Sequence, residues 1–111
     1  MMKAALALGA VLLLGACASR AEAPVQSQEQ RGYALVAQNC ASCHAIGRTG
    51  DSPAPEAPPF RTLAHNYRVS ALEEALAEGI SVGHPAMPNF SFAPDDVDAL
   101  VAYLESIQET P

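Results

Sequence analysis

The sequence predicts a small all-α domain of three to four short helices, and three observations predict it. Apolar residues recur at spacings of three and four in several separate stretches. No stretch alternates with the period of two that a half-buried strand requires, and no segment repeats internally. Between the periodic stretches lie runs dense in glycine and proline, which break helices and end strands.

The chain of 111 residues can hold one such domain, and its first part lies outside the fold. Met1-Met2-Lys3 is a short basic start, and residues 4–16 are an unbroken small and apolar run containing Leu6, Leu8, Val11, Leu12, Leu13 and Leu14. That is the hydrophobic region of a signal peptide. A membrane-crossing helix needs ~20 apolar residues, and Ser19, Arg20 and Glu22 end this run too soon. Where it ends, Leu14-Gly15-Ala16-Cys17 resembles the lipobox of bacterial lipoproteins. The resemblance implies that residues 1–16 are removed and that Cys17 is lipidated, which anchors the chain to a membrane in the periplasm. In that family Asp after the modified Cys retains the protein at the inner membrane; Ala18 here also permits the outer one. The alternative is cleavage at Ala16-Cys17-Ala18 or Ala21-Glu22-Ala23, giving a soluble periplasmic protein. Residues 18–29 are small and polar without apolar period, so residues 17–29 read as a tether and residues 30–109 as the folded domain.

The first helix is expected from Gln30 to Cys43, because Tyr33, Val36, Ala37 and Cys40 follow one another at helical spacing. Gly47 and Gly50 then open a loop, and Pro53, Pro55, Pro58 and Pro59 exclude helix or central strand as far as residue 59. A short helical turn fits residues 63–67. Ser70 and Glu73 have the spacing of a capping box before an apolar face of Leu72, Ala75, Leu76 and Ile80, with Gly79 placed to end the helix in a left-handed conformation. The last helix starts at Pro94, a residue suited to a first turn, and Asp95, Asp96 and Asp98 complement its positive end. Ala93 occupies the cap position, where Ser or Thr is stronger. Val97, Leu100, Val101, Leu104 and Ile107 form its apolar stripe.

Chemistry is concentrated in Cys40-Ala41-Ser42-Cys43-His44, the C-x-x-C-H pattern of c-type haem attachment. Two thiols one helical turn apart can add to the two vinyl groups on one porphyrin edge, and the adjacent imidazole lies under the iron as an axial ligand. Met87 is the one methionine left after removal of residues 1–16, and Pro85 and Pro88 stiffen the segment that carries it. A thioether so held is a candidate second axial ligand; the alternative is a methionine that fills a gap in the core. His84 and His65 are the competing iron ligands.

With Gly32 eight positions before Cys40, the C-x-x-C-H motif, Pro58-Pro59-Phe60, Met87-Pro88 and the helix through Leu100 and Tyr103, residues 30–108 resemble class I cytochrome c. The resemblance implies a small cytochrome c-like fold around one haem c, joined covalently through Cys40 and Cys43, with iron held by His44 and Met87. It also implies that the first and last helices cross at Gly32 and that the Pro58 carbonyl orients the His44 ring. Arg48, Arg61 and Tyr67 are candidates for the haem propionates. The Gly50-to-Pro59 loop is unlike that of the mitochondrial-type protein, so partner specificity does not carry over.

Without Lys3 the chain has five Arg against twelve acids, a net −7. That balance argues against nucleic-acid binding, which selects for basic patches, and suits either a redox partner with a basic surface or simple solubility. The expected function is a monomeric, membrane-anchored carrier of single electrons between a redox donor and acceptor, and not an enzyme. Two alternatives stay open: a dedicated haem subunit of a dehydrogenase or reductase, and a gas- or peroxide-binding haem protein in which Met87 leaves the iron.

Overall fold

Ser27 starts the first helix. Its hydroxyl accepts the Gln30 backbone N–H at 3.2 Å, and the Gln30 side-chain oxygen accepts the Ser27 N–H at 3.0 Å, a complete capping box. Helix α1 therefore spans Gln28–Asn39 and begins two residues before the start read from its apolar residues. Its opening turn is polar and exposed, so capping rather than burial sets that boundary. The computed structural model describes residues 24–79 and 86–110. The signal region, Cys17, Ile80 and His84 lie outside the described residues.

After α1 the chain makes a single turn through Cys40 and Cys43 and then a loop to Pro59. A 3-10 helix follows over Phe60–His65, three residues earlier than expected. The Pro59 carbonyl nucleates it, accepting both the Thr62 N–H at 3.1 Å and the Thr62 hydroxyl at 2.9 Å. A second 3-10 turn, Val69–Leu72, runs directly into helix α2, Glu73–Glu78. Here the expected capping box is absent. Ser70 lies within the 3-10 turn, and its backbone carbonyl, not its hydroxyl, accepts the Glu73 N–H. Burial of Val69 and packing of Leu72 on the core pull the chain into that tighter turn. Gly79 closes α2 at φ 75°, ψ 35°, the left-handed conformation that glycine adopts without penalty.

Helix α3, Pro94–Ser106, begins with proline in its first turn and has no side-chain cap at Ala93. Its buried face, Val97, Ala99, Leu100, Val101, Tyr103 and Leu104, is wider than one stripe because α3 packs on two sides. On one side Leu100 and Leu104 join Val36, Phe60, Leu63, Val69 and Ile107 in a single apolar core. On the other side α3 crosses α1 at Gly32, as the resemblance implied. A Cβ at Gly32 would run into the Ala99 carbonyl and lie 2.6 Å from the Tyr103 Cβ, so only glycine lets the two backbones approach this closely. Tyr33 packs edge-on against Tyr103 beside the crossing, with ring centroids 5.5 Å apart. Arg31 reaches Asp96 over the same seam at 2.5 Å. Among the described residues there is no strand, and no helix is long and apolar enough to cross a membrane.

Candidate haem site

The attachment motif is built as the turn that follows α1, which ends at Asn39 and does not run on to Cys43 as expected, because Cys40 leaves helical geometry as the C-cap. The Val36 carbonyl accepts from the N–H groups of Cys40 and Ala41, and the Cys40 carbonyl then accepts from Cys43 at 3.2 Å and His44 at 3.0 Å. One tight turn thus carries both thiols and the imidazole. Neither cysteine is in a disulfide; Cys40 is half-buried against the core and Cys43 is exposed. Burial pushes the Cys40 thiol up to about 11, so it stays protonated at neutral pH.

The proline-rich loop folds back along this turn and is pinned to it. The Cys43 carbonyl accepts the Ala54 N–H at 3.0 Å, the Ser52 hydroxyl oxygen accepts the Ala45 N–H at 3.0 Å, and the Ala45 carbonyl accepts the Phe60 N–H at 3.0 Å. These ties bring Pro58 to the histidine: His44 Nδ1 lies 2.8 Å from the Pro58 carbonyl oxygen. A carbonyl can only accept, so Nδ1 carries a proton, and in the neutral tautomer this selects Nε2 keeps its lone pair. The Phe60 ring lies against the imidazole with centroids 4.6 Å apart. The His44 ring is therefore held by a hydrogen bond on one edge and by an aromatic contact, with Nε2 left for a metal. The donor set fits a covalently held haem: two unbonded thiols on one turn, and an imidazole whose second nitrogen is fixed by a backbone carbonyl.

Supports from farther along the chain hold the platform. The Tyr103 hydroxyl donates to the Ile46 carbonyl at 2.7 Å. Burial raises the Tyr103 hydroxyl above its ordinary value and neighbouring Tyr33 adds to this, while Arg48 opposes it. Gln108 donates to the Phe60 and Leu104 carbonyls, each at 2.7 Å, and accepts the Ala64 N–H at 2.8 Å. Ser52 and Gln108 have no role in the site as read from the sequence, and Phe60 enters there only as part of a motif. A lone Ser or Gln carries no pattern that announces a distant partner.

The structure joins Cys40, Cys43, His44 and Pro58 in one cluster. Met87 stands on a different segment, half-buried in a turn, and no hydrogen bond among the described residues links it to that cluster. The chain just beyond Met87 is fastened to the end of α2: the Leu76 carbonyl accepts the Phe92 N–H at 2.9 Å, and the Ser91 hydroxyl donates to the Ala77 carbonyl at 2.9 Å. Phe90 stacks on Phe92. His65 is exposed at the end of its 3-10 helix. Arg48 and Arg61 are engaged elsewhere. Arg48 donates to the Ser106 carbonyl at 2.6 Å; Arg61 donates to the Gly50 carbonyl at 2.7 Å and pairs with Glu109 at 3.0 Å, which ties the C-terminus to the loop.

Residues 29–108 match the family model described as Cytochrome c. Comparison with curated proteins and with solved structures gives no match.

Proposed function

The chain belongs to the cytochrome c family, and from that premise we propose that it is a single-haem electron carrier in the periplasm, held to a membrane by lipid on Cys17. Membership makes it a haem-binding electron-transfer protein with covalently bound haem c. When bound, haem supplies an iron that cycles between ferrous and ferric states. Cys40 and Cys43 would hold the porphyrin through thioethers, His44 would bind the iron through Nε2, and Met87 would be its second protein ligand.

The observation that carries this reading is the 2.8 Å contact from His44 Nδ1 to the Pro58 carbonyl. It fixes the tautomer and the plane of the ring before any metal binds, so the imidazole would need little reorganisation on holding an iron. The Phe60 ring, tilted against the same imidazole, limits its rotation. The fastening of the Met87 segment to α2 supports a thioether held by a stiff loop, a ligand that favours ferrous iron and raises the potential over a second His. Were His44 and Met87 both to hold the iron, they would leave it no open place for a substrate, which fits a carrier. The periplasmic, lipid-anchored location rests on the signal region and on Leu14-Gly15-Ala16-Cys17.

A redox titration followed by optical spectra tests the ligand pair. The Met87→Ala protein is expected to lose the weak ferric sulfur-to-iron absorption and to fall steeply in potential. A spectrum identical to that of the parent would remove Met87 from the iron.

A further inference from the structure

We propose that the tether end of the domain rests on the bilayer in which Cys17 is anchored, with Val25 and Tyr33 meeting the lipid headgroups. The inference rests on the lipid-anchor reading of Cys17. Among the described residues Val25 is 96% exposed and Tyr33 52%, the two highest values for large apolar side chains. They line the same open depression of about 760 Å³, between the end of the tether and the α1–α3 seam, together with Pro24, Arg48 and Tyr103.

The length of chain between this surface and the anchor identifies what covers it. Cys17 precedes Pro24 by seven residues, and seven residues span at most ~25 Å however they are arranged. Val25 and Tyr33 are thus confined near lipid at a high effective concentration, where even a weak apolar contact is populated. Tyrosine suits that place, since its ring can sit among headgroups while its hydroxyl stays in water. Charge does not supply the attraction, because the net −7 of the anchored chain repels anionic lipid.

The test uses full-length, lipidated, haem-loaded protein in phosphatidylcholine vesicles, with a nitroxide spin label at Val25→Cys or, as a control on α2, at Glu74→Cys. On reconstitution the label at 25 is expected to become several-fold less accessible to a water-soluble nickel chelate and more accessible to oxygen, while the label at 74 is unchanged. Tyr33→Gln in the same protein should return the label at 25 toward its accessibility in water and leave the haem spectrum as it was; retained protection would remove Tyr33 from the contact. A label at 25 as accessible in vesicles as in the Cys17→Ser protein in buffer would overturn the proposal. The mass of the N-terminal peptide separates the two ideas. If Cys17 lacks lipid, the anchor reading fails and this inference with it; if Cys17 carries lipid and position 25 stays wet, only the inference fails.

Discussion

Cys40 shows how burial of one atom changes behaviour over a defined pH range. Its thiol is pushed from an ordinary 9.0 up to about 11 in the fold, so the folded haem-free chain holds that proton more tightly than the unfolded chain. The stabilisation this brings is complete below about pH 9 and is lost as pH rises toward 11. Urea denaturation of the haem-free protein is expected to show stability falling over that window. Cys40→Ala should remove most of the slope and leave the part due to Tyr67 and Tyr103, whose hydroxyls burial also raises. Haem attachment should do the same, since a thioether has no proton to lose. At Gly32 the effect is steric. Alanine in a helix is ordinarily favoured over glycine by ~1 kcal/mol, but here its Cβ would strike the Ala99 carbonyl, a backbone atom that cannot swing aside. Gly32→Ala is therefore expected to lower stability by about 1–3 kcal/mol net, measured as a lower urea midpoint.

At the scale of elements, α3 is the least well capped of the long helices. Ala93 already has the extended cap backbone, φ −64° and ψ 154°, but no side chain to accept an exposed N–H. Ala93→Ser should raise stability by about 0.5–1 kcal/mol, read from the urea midpoint; no change would mean that a neighbouring group already satisfies those amides. The same kind of signal shows how far elements were legible in the sequence. The left-handed end at Gly79 and the start of α3 at Pro94 are local matters, and both could be read from the residues. The S-x-x-E/Q pattern occurs at Ser27 to Gln30 and at Ser70 to Glu73, and only the first forms a box. Ser27 stands on an exposed, polar stretch where nothing competes with capping. Ser70 adjoins Val69, whose burial in the core draws the turn into 3-10 geometry. A local pattern can be trusted where tertiary burial makes no demand, and it fails where burial does. The candidate site divides in the same way. The motif through His44 is contiguous and was visible, whereas the supports from Ser52 and Gln108 join residues far apart in sequence and leave no trace in it.

Over the whole molecule, a modest apolar core must hold several segments with little regular structure. No charged side chain is buried among the described residues, and the cluster around Val36 and Leu100 is continuous with Phe60, against which the His44 ring lies. The cofactor would thus extend the core as well as carry the electron. Haem-free protein is expected to be less stable than the holoprotein by at least a few kcal/mol, seen as a large fall in urea midpoint by far-ultraviolet circular dichroism. Equal midpoints would mean that the core stands without it. The α1–α3 crossing has a further consequence, for the order of events in biogenesis. Gly32 meets Ala99 across 67 positions of chain, and closing a loop of that length costs ~4 kcal/mol of entropy before the contact offsets it. While the polypeptide emerges from its N-terminus, the helix leading to Cys40 and Cys43 lacks its main packing partner until α3 follows, with only Phe60, Leu63 and Val69 preceding it. During that interval both thiols are open to solvent, and Cys40 is not yet held by its burial against attack. The late arrival of α3 thus leaves time for the attachment chemistry to take place on an unfinished chain, and the crossing at Gly32 then closes over the result.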